Sequence, residues 1–312
     1  MLRPTTSYMT HYSSLTDVSL PSSWLTIGVF DGVHLGHQEI IRNLTAGAHA
    51  NGVPAVVLTF APHPALVLAG VQIKYLTTPE ERASLLTDLG VDVVITHPFD
   101  KDVANLSPEE FMGQIKHRLG LQKLLVGYDF ALGRNRAGDI ARLTEIGVTL
   151  GYDVLPVAPL QREERILSST AIRQQIADGD VVGVAASLGR SYSVSGPIIR
   201  GDGRGRTIGI PTANVDVPLD KAIPANGVYA CWVTTRGEKH KAVVNIGVRP
   251  TFTSGEVAPR VEAHILEYDA DLYDQIITIE FVERLRGEQK FSGIDALLAQ
   301  IKLDIEKAKE IL

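Results

Sequence analysis

The first half of the chain is organised around Gly28-Val29-Phe30-Asp31-Gly32-Val33-His34-Leu35-Gly36-His37-Gln38. This stretch follows a short apolar run and precedes an amphipathic one, so we expect it to join a strand to a helix. Gly32 and Gly36 allow the backbone to approach a phosphate closely, and a helix N-terminus directs free N–H groups at an anion. His34 and His37 can both donate hydrogen bonds to that anion. A zinc site is the weaker interpretation, because no thiolate or third ligand lies at a useful spacing.

Working outward from this junction, strands alternate with helices. Strands are predicted at 25–30, 53–60, 91–96, 123–126 and 152–156, and helices at 36–50, 79–89 and 107–119, with one more before residue 152. Ser107 is the predicted N-cap of its helix, with Pro108 in the first turn. This alternation predicts a parallel, doubly wound sheet that binds ligands at the carboxyl ends of its strands.

The second half of the chain has a different spacing of apolar residues. Short apolar runs at 191–199, 208–217, 227–234, 241–248, 261–267 and 275–281 are separated by turn residues, which favours an antiparallel barrel or sandwich. A final helix has one apolar stripe and a start capped by Ser292 or Asp295; the stripe consists of Ile294, Leu297, Leu298, Ile301, Ile305 and Ala308. We expect two domains, 1–185 and 186–312.

Composition excludes several classes of protein. The 312 residues are 45% hydrophobic and 21% charged with a net charge of −6, which argues against disorder and against a nucleic-acid partner. No signal segment and no apolar run of about 20 residues is present, so no membrane association is expected. The single cysteine, Cys231, lies in an apolar run and is expected to be a buried thiol in a reducing cytoplasm. The sequence leaves open a monomer or a transient homo-oligomer.

Three further segments of the first half carry polar residues where strands end or helices begin. These are Thr59-Phe60-Ala61-Pro62-His63-Pro64, then Val126-Gly127-Tyr128-Asp129-Phe130-Ala131-Leu132-Gly133 with Arg134 and Arg136 behind it, and Leu167-Ser168-Ser169-Thr170-Ala171-Ile172-Arg173. Each has a structural explanation by itself: a rigid turn, a solvated loop and a helix cap. The resemblance to a known family that is given below, in which such segments occur in this order and spacing, favours a functional explanation for the set.

The second half holds a glycine-rich loop, Gly201-Asp202-Gly203-Arg204-Gly205-Arg206, before Gly209-Ile210-Pro211-Thr212-Ala213-Asn214. It matches neither a Walker A motif nor a dinucleotide fingerprint. Thr212 and Asn214 are two residues apart on a predicted strand, so their side chains share a face. Their oxygens suit a hard cation such as Mg²⁺. Glu262 and His264 alternate with apolar residues on another strand and are candidates for acid–base chemistry.

Together these motifs resemble those of the bacterial bifunctional riboflavin kinase/FAD synthetases, from about residue 25 to the end of the chain. The resemblance implies a fold of class α/β plus β. A Rossmann-like nucleotidyltransferase domain with a parallel sheet would precede a six-stranded antiparallel barrel of the riboflavin kinase type with a terminal helix. It implies two reactions that use ATP and Mg²⁺: phosphorylation of riboflavin to FMN by the barrel, and adenylylation of FMN to FAD by the first domain.

The resemblance also assigns residues. For the first domain it implies an ATP site of Gly28, Phe30, Asp31, Gly32, His34, Gly36, His37, Asp129, Ser169, Thr170 and Arg173, and a flavin site of Phe60, His63, Tyr128 and Phe130. For the barrel it implies an ATP site of Gly201, Gly203, Arg204, Gly205, Gly209, Thr212 and Asn214, and a flavin site of Gly227, Tyr229 and Glu262. Thr212 and Asn214 would also hold the metal. Glu262 would be the catalytic base of the kinase, and His34, His37 and Arg173 would stabilise the triphosphate as pyrophosphate leaves.

Two alternatives remain from the sequence. One is a related cytidylyltransferase or pantetheine-type adenylyltransferase with an unrelated binding barrel, which leaves the Pro-Thr-Ala-Asn segment unexplained. The other is a non-catalytic flavin-binding or RNA-binding regulator on the scaffold of a former enzyme. The presence of both histidines, Thr212, Asn214 and Glu262 argues against the second.

Overall fold

The structure is a computed structural model that describes residues 10–158, 161–162, 165–201, 205, 209–250 and 257–312. Its Cα packing divides the chain into two compact units, Met1–Ser169 and Thr170–Leu312. None of the described helices has the length and apolarity that a membrane span requires.

The first unit is built on a parallel sheet of six strands in the order β1-β4-β3-β2-β5-β6. The strands are β1 (Thr10–Tyr12), β2 (Ser23–Ile27), β3 (Ala55–Ala61), β4 (Val93–Pro98), β5 (Leu121–Gly127) and β6 (Asp153–Val157). The two-residue strands β7 (Gln161–Arg162) and β8 (Arg165–Ile166) form a separate antiparallel pair. From β2 the chain runs through β3 to β4 on one side, then crosses to β5 on the other. The strand order therefore reverses between β2 and β5, where open α/β sheets bind ligands.

Helices cover both faces of this sheet. They are α1 (Leu35–Ala50), α2 (Pro64–Ala69), α3 (Pro79–Asp88), α4 (Lys101–Asn105), α5 (Pro108–Leu119) and α6 (Ile140–Leu150), with 3₁₀ turns at Leu15–Asp17 and Arg134–Arg136. Leu25 and Ile27 of β2 pack in the core that α5 and α6 share, whereas Trp24 packs with α1 and α3. Burial on both faces explains why the strands are continuously apolar.

The predicted parallel α/β fold is confirmed. The N-cap at Ser107 is confirmed as well: its side chain accepts from Glu110 N, and Glu110 returns a bond to Ser107 N. The helices α2 and α4 and the edge strand β1 were not predicted. These two helices are only six and five residues long, too short to show the apolar periodicity from which a helix is predicted.

The second unit is a closed antiparallel barrel of six strands in the order β10-β13-β12-β11-β14-β9. Of the two architectures that the sequence allowed, barrel and sandwich, the structure is therefore the barrel. The strands are β9 (Tyr192–Ile199), β10 (Ala213–Val215), β11 (Gly227–Thr235), β12 (Glu238–Pro250), β13 (Val257–Ile265) and β14 (Ile276–Arg286).

Cys231 is fully buried on β11 and burial raises the pKa of its thiol, which confirms a structural cysteine.

The described helices that accompany the barrel include α7 (Ser169–Asp178), α8 (Val181–Leu188) and α9 (Ile294–Ile311). The division at Ser169/Thr170 precedes the expected boundary at 185/186. The reason is that α8 packs against β9 and β14, and Ala225 N, just before β11, donates to Ile176 O of α7 over 3.1 Å.

The terminal helix α9 packs Ile305 and Ala308 against Val228, Ala230 and Val243 on the barrel. The predicted cap at Ser292 or Asp295 is wrong. Gly293 is the N-cap and makes no side-chain capping bond, while Asp295 lies in the first turn, where a carboxylate favours the positive end of the helix.

Candidate active sites

The corner that follows β2 has an unusual backbone. Phe30 and Val33 adopt φ values of 50° and 42°, and Gly32 one of 81°. A positive φ is a genuine outlier for a β-branched residue such as Val33, and strain of this kind accumulates at functional sites. The tight path ends at His34, the N-cap of α1, and places Gly36 and His37 in the first turn of that helix.

Asp31 holds the corner in this shape. Its buried carboxylate accepts hydrogen bonds from Leu76 N (3.0 Å), Thr77 N (3.0 Å) and Thr77 Oγ1 (3.2 Å), just ahead of α3. Thr77 Oγ1 also accepts from Gly32 N over 3.0 Å. The family resemblance places Asp31 in the ATP site, and in this structure its carboxylate binds main-chain donors. It therefore contributes to the site by shaping the backbone around the histidines.

His34 and His37 are brought together. Their rings stack with centroids 3.6 Å apart and planes 20° apart, and the edge of Phe30 contacts His37 with centroids 5.1 Å apart. His34 Nδ1 accepts from His37 N over 3.3 Å, which assigns the remaining proton of the His34 ring to Nε2. His37 Nδ1 is buried and has no hydrogen-bond partner among the described residues.

Both imidazoles are neutral at pH 7. Burial lowers the pKa of His34 to about 4, against the opposing effect of Asp31. Burial, and then the neighbouring His34 and Arg82, hold the pKa of His37 well below its usual value. The pair therefore presents N–H donors rather than two positive charges. A phosphate that binds here would raise both pKa values and favour uptake of a proton.

Arg82 is a site residue that the sequence analysis missed. It is fully buried on α3, and its Nη1 donates to Val29 O in the corner and to Thr59 Oγ1 (3.1 Å) at the end of β3. Its Nε and Nη2 are buried without partners in the part of the chain that the structure describes. A charged residue on an amphipathic helix is usually exposed, so no sequence signal marked it.

The other residues predicted for this domain lie in different parts of the structure. Ser169 Oγ donates to the carbonyl of Asp31 over 2.9 Å and so belongs to the corner. Tyr128, Asp129 and Phe130 follow β5, at the edge where the strand order reverses, and line a groove there. Thr170 and Arg173 lie on α7 in the second unit, and their part in the ATP site stays a prediction.

The two other predicted flavin contacts have structural roles. Phe60 is only 8% exposed and packs against Phe99 and Phe111. His63 is the N-cap of α2, where its Nδ1 accepts from Ala65 N over 3.1 Å. A flavin contact from either ring stays a prediction.

The second candidate site lies on the barrel. Asn214 of β10 faces Glu262 of β13 in the strand register, and Asn245 of β12 faces Glu262 from the other side. These three residues line a cavity of about 600 Å³ with Thr212 and His264. Its apolar end is formed by Val228 and Val243 of the barrel and by Phe291, Leu297 and Ile301 around α9. A cavity of this size suits a small-molecule ligand.

The two glycines of the loop leave space beside the polar oxygens. A Cβ on Gly201 would stand 2.2 Å from Asn214 Nδ2, and one on Gly205 would stand 3.3 Å from Thr212 Oγ1 and 2.3 Å from Ile210 O. Hydroxyl and amide oxygens fit a hard divalent cation. No three His, Cys, Asp or Glu side chains among the described residues are grouped to hold a metal.

Arg260 is a second residue that the sequence analysis missed. Its Nη2 lies 2.7 Å from Glu262 Oε1, and its Nε donates to Asn214 Oδ1 over 3.0 Å. Arg260 precedes Glu262 by two residues on a strand, so the rule that grouped Glu262 with His264 would have found it. His264 Nδ1 lies 2.8 Å from Pro211 O, which ties β13 to the segment that carries Thr212.

Not every residue predicted for the barrel reaches this cavity. Tyr229 is fully buried against Phe281, and its hydroxyl donates to Ala225 O, so it packs in the barrel core while its neighbour Val228 lines the cavity. Gly227 lies against Arg286 O, where a Cβ would stand 2.5 Å away. Gly209 has a φ of 76°, and Gly203 and Arg204 lie outside the described residues.

Comparison with known proteins assigns both units. The FAD synthetase family model matches residues 17–171 and the riboflavin kinase (flavokinase) model matches residues 188–312. A bifunctional riboflavin kinase/FMN adenylyltransferase of Bacillus subtilis strain 168 is 35% identical over 97% of this chain and 96% of its own. The chain belongs to the bifunctional riboflavin kinase/FMN adenylyltransferase family.

An Escherichia coli K12 member of this family is 37% identical over 92% of this chain and 91% of its own. The alternative of an unrelated binding barrel is thus wrong, because the second unit matches the riboflavin kinase model. A crystal structure described as a macrolide-efflux protein from Streptococcus pneumoniae superposes with a TM-score of 0.88 at 30% identity, over 96% of this chain and 98% of that one. That description is of the other protein, and the family models define the family of this chain.

Proposed function

We propose that this chain makes both flavin cofactors in two separate sites, phosphorylating riboflavin to FMN on the barrel and adenylylating FMN to FAD on the parallel sheet. The observation that carries the proposal is the register of β10, β13 and β12. It places Asn214, Glu262 and Asn245 side by side on one ligand-sized cavity. The stacked histidine pair beside the reversal of strand order supports the second reaction.

In the kinase reaction, Glu262 is the proposed base. The 5′-hydroxyl oxygen of riboflavin attacks the γ-phosphorus of ATP, its proton passes to the Glu262 carboxylate, and the bond to the ADP oxygen breaks. Glu262 Oε1 is held by Arg260, which leaves Oε2 for the hydroxyl. Thr212 and Asn214 line the same cavity, so they can position the phosphates in line with the attacking oxygen.

We propose Mg²⁺ as the divalent cation of the kinase site, held by Thr212 Oγ1 and Asn214 Oδ1. When bound, it neutralises charge on the transferred phosphoryl group and the leaving ADP. Thr212 Oγ1 lies beside the space that Gly205 leaves open and the Asn214 amide lies beside that of Gly201, which supports the assignment.

In the adenylyltransferase reaction, the FMN phosphate is already an anionic nucleophile. One of its oxygens attacks the α-phosphorus of ATP, and pyrophosphate leaves. His34 and His37 donate hydrogen bonds to the triphosphate from the N-terminus of α1, whose dipole favours an anion. Because burial holds both rings neutral, the proposed source of the charge that balances pyrophosphate is a proton taken up on binding, or Arg173 and the metal.

The direct test is turnover. The purified chain is incubated with riboflavin, ATP and Mg²⁺, and FMN and FAD are followed separately by chromatography. We expect FMN to appear first and FAD to follow, with one ADP released for each flavin phosphorylated and one pyrophosphate for each FAD. Tight binding of riboflavin without turnover would instead support a non-catalytic regulator.

Location and partners follow from the same chemistry. We propose a cytoplasmic enzyme whose partners are riboflavin, FMN and ATP, with no nucleic-acid partner, acting as a monomer or a transient homo-oligomer. The buried free thiol of Cys231 and the net charge of −6 support this proposal.

A further inference from the structure

Arg260 lies between the two groups that the kinase reaction uses. Its guanidinium contacts Glu262 Oε1 at 2.7 Å and Asn214 Oδ1 at 3.0 Å. The side chains of Arg260 and Glu262 are 30% and 22% exposed, so the pair lies in the wall of the cavity rather than on the open surface. An exposed ion pair contributes little to stability, so the stabilisation that this partly exposed pair supplies is small.

The two contacts fix the orientations of two different side chains, Glu262 and Asn214. The strand register already brings Asn214 opposite Glu262. Arg260 Nε can donate only to the oxygen of an amide, so its bond turns Asn214 Oδ1 towards β13 and Nδ2 towards Gly201. The planar guanidinium makes both bonds at once, which an ammonium group cannot do with the same geometry.

We propose that Arg260 is a positioning residue of the riboflavin kinase site, which fixes the orientation of the Glu262 carboxylate and of the Asn214 amide. This inference rests on the proposed kinase function. Arg260 acts through these two residues and takes no part in proton or phosphoryl transfer. Its single bond to Glu262 leaves the second carboxylate oxygen for the riboflavin hydroxyl.

The test compares Arg260→Met, which keeps a long apolar side chain, with Arg260→Lys, which keeps the charge. Lys239→Met is the matched control, because it removes another positively charged barrel residue that is paired with a carboxylate (Glu280, 2.6 Å) and does not line the cavity. For each full-length variant, kcat and KM for riboflavin and for Mg·ATP are measured. Adenylylation of added FMN shows whether the chain is intact.

We expect Arg260→Met to lower the kinase kcat by about 10- to 100-fold, the effect of misplacing a reacting group by a fraction of an ångström to an ångström. KM for Mg·ATP should change by less than about three-fold. Arg260→Lys should recover part of kcat, and FMN adenylylation should be unchanged in every variant. Lys239→Met should match the wild type in both activities.

Three results would overturn the proposal. A kinase kcat within about three-fold of wild type in Arg260→Met removes the positioning role, and a faster variant shows that Arg260 obstructs the site. A large rise in KM for Mg·ATP with kcat intact makes Arg260 a phosphate ligand instead. A wild-type chain that forms no FMN removes the kinase function and this inference together, so the two failures are distinguishable.

Discussion

Acid should destabilise the first unit through His34. This side chain is 5% exposed and has its pKa lowered by burial to about 4 from an ordinary value of 6.5. The native state therefore binds fewer protons than the unfolded state between these two values, and stability falls as the pH drops from 6.5 towards 4. The difference between the two pKa values lowers the free energy of unfolding by about 3 kcal/mol once His34 is protonated in both states, and by about 2 kcal/mol at pH 5.

The structure also supplies the reason for the penalty. His34 Nδ1 accepts the hydrogen bond from His37 N at the start of α1. A proton on Nδ1 breaks this cap and places a positive charge at the positive end of the helix. His34→Asn is the matched variant, since asparagine is a good N-cap that cannot take up a proton in this range.

The assay is urea unfolding at pH 8 and pH 5. The chain has two tryptophans, and Trp24 lies buried on β2 in the first unit. With Trp232→Phe as the background, Trp24 fluorescence follows that unit alone. Between pH 8 and pH 5 the histidine-containing protein should lose about 2 kcal/mol more unfolding free energy than its His34→Asn variant. Parallel losses in the two proteins would refute the reasoning, because every other titrating group is common to both.

Three further substitutions test the kinase reaction, the adenylylation reaction and the stability of the barrel. Glu262→Gln should lower FMN formation by about 10²- to 10⁴-fold and leave FAD formation from added FMN intact; equal loss of both activities contradicts its assignment as base. His37→Ala should lower adenylylation by about 10²- to 10³-fold and spare the kinase, so an adenylylation rate within a few-fold of wild type removes His37 from the site. Asp304→Asn leaves Arg286 with a weakened partner in a nearly buried ion pair, so it should lower the free energy of unfolding of the barrel by about 3 kcal/mol. Urea unfolding of the barrel, measured by Trp232 fluorescence, tests this, and an unchanged midpoint contradicts it.

Local chemistry made the main features of the fold predictable. The helix beginning at Pro108 has Ser107 and Glu110 at capping-box spacing, and Gly32 of the corner occupies a position with a φ of 81°. Alternation on β13 placed Glu262 and His264 on one face, and the structure brings both to the cavity. In each case the signal lies within a few residues of the feature it predicts.

Features that depend on distant contacts were not predictable. Nearly all of β11 is buried on both faces, so alternation could not tell that Tyr229 points into the core while Val228 lines the cavity. The burial of Arg82 depends on the carbonyl of Val29, far away in sequence. The bond from Arg260 to Asn214 likewise requires the register of β10 on β13.

The most direct measurement is a crystal structure of the chain with Mg²⁺, FMN and an ATP analogue whose α,β-bridging oxygen is replaced by methylene. We expect one nucleotide with its triphosphate within hydrogen-bond distance of His34 and His37, and a second against Thr212 and Asn214. A nucleotide bound elsewhere, with the corner after β2 empty, would contradict the assignment of the two sites.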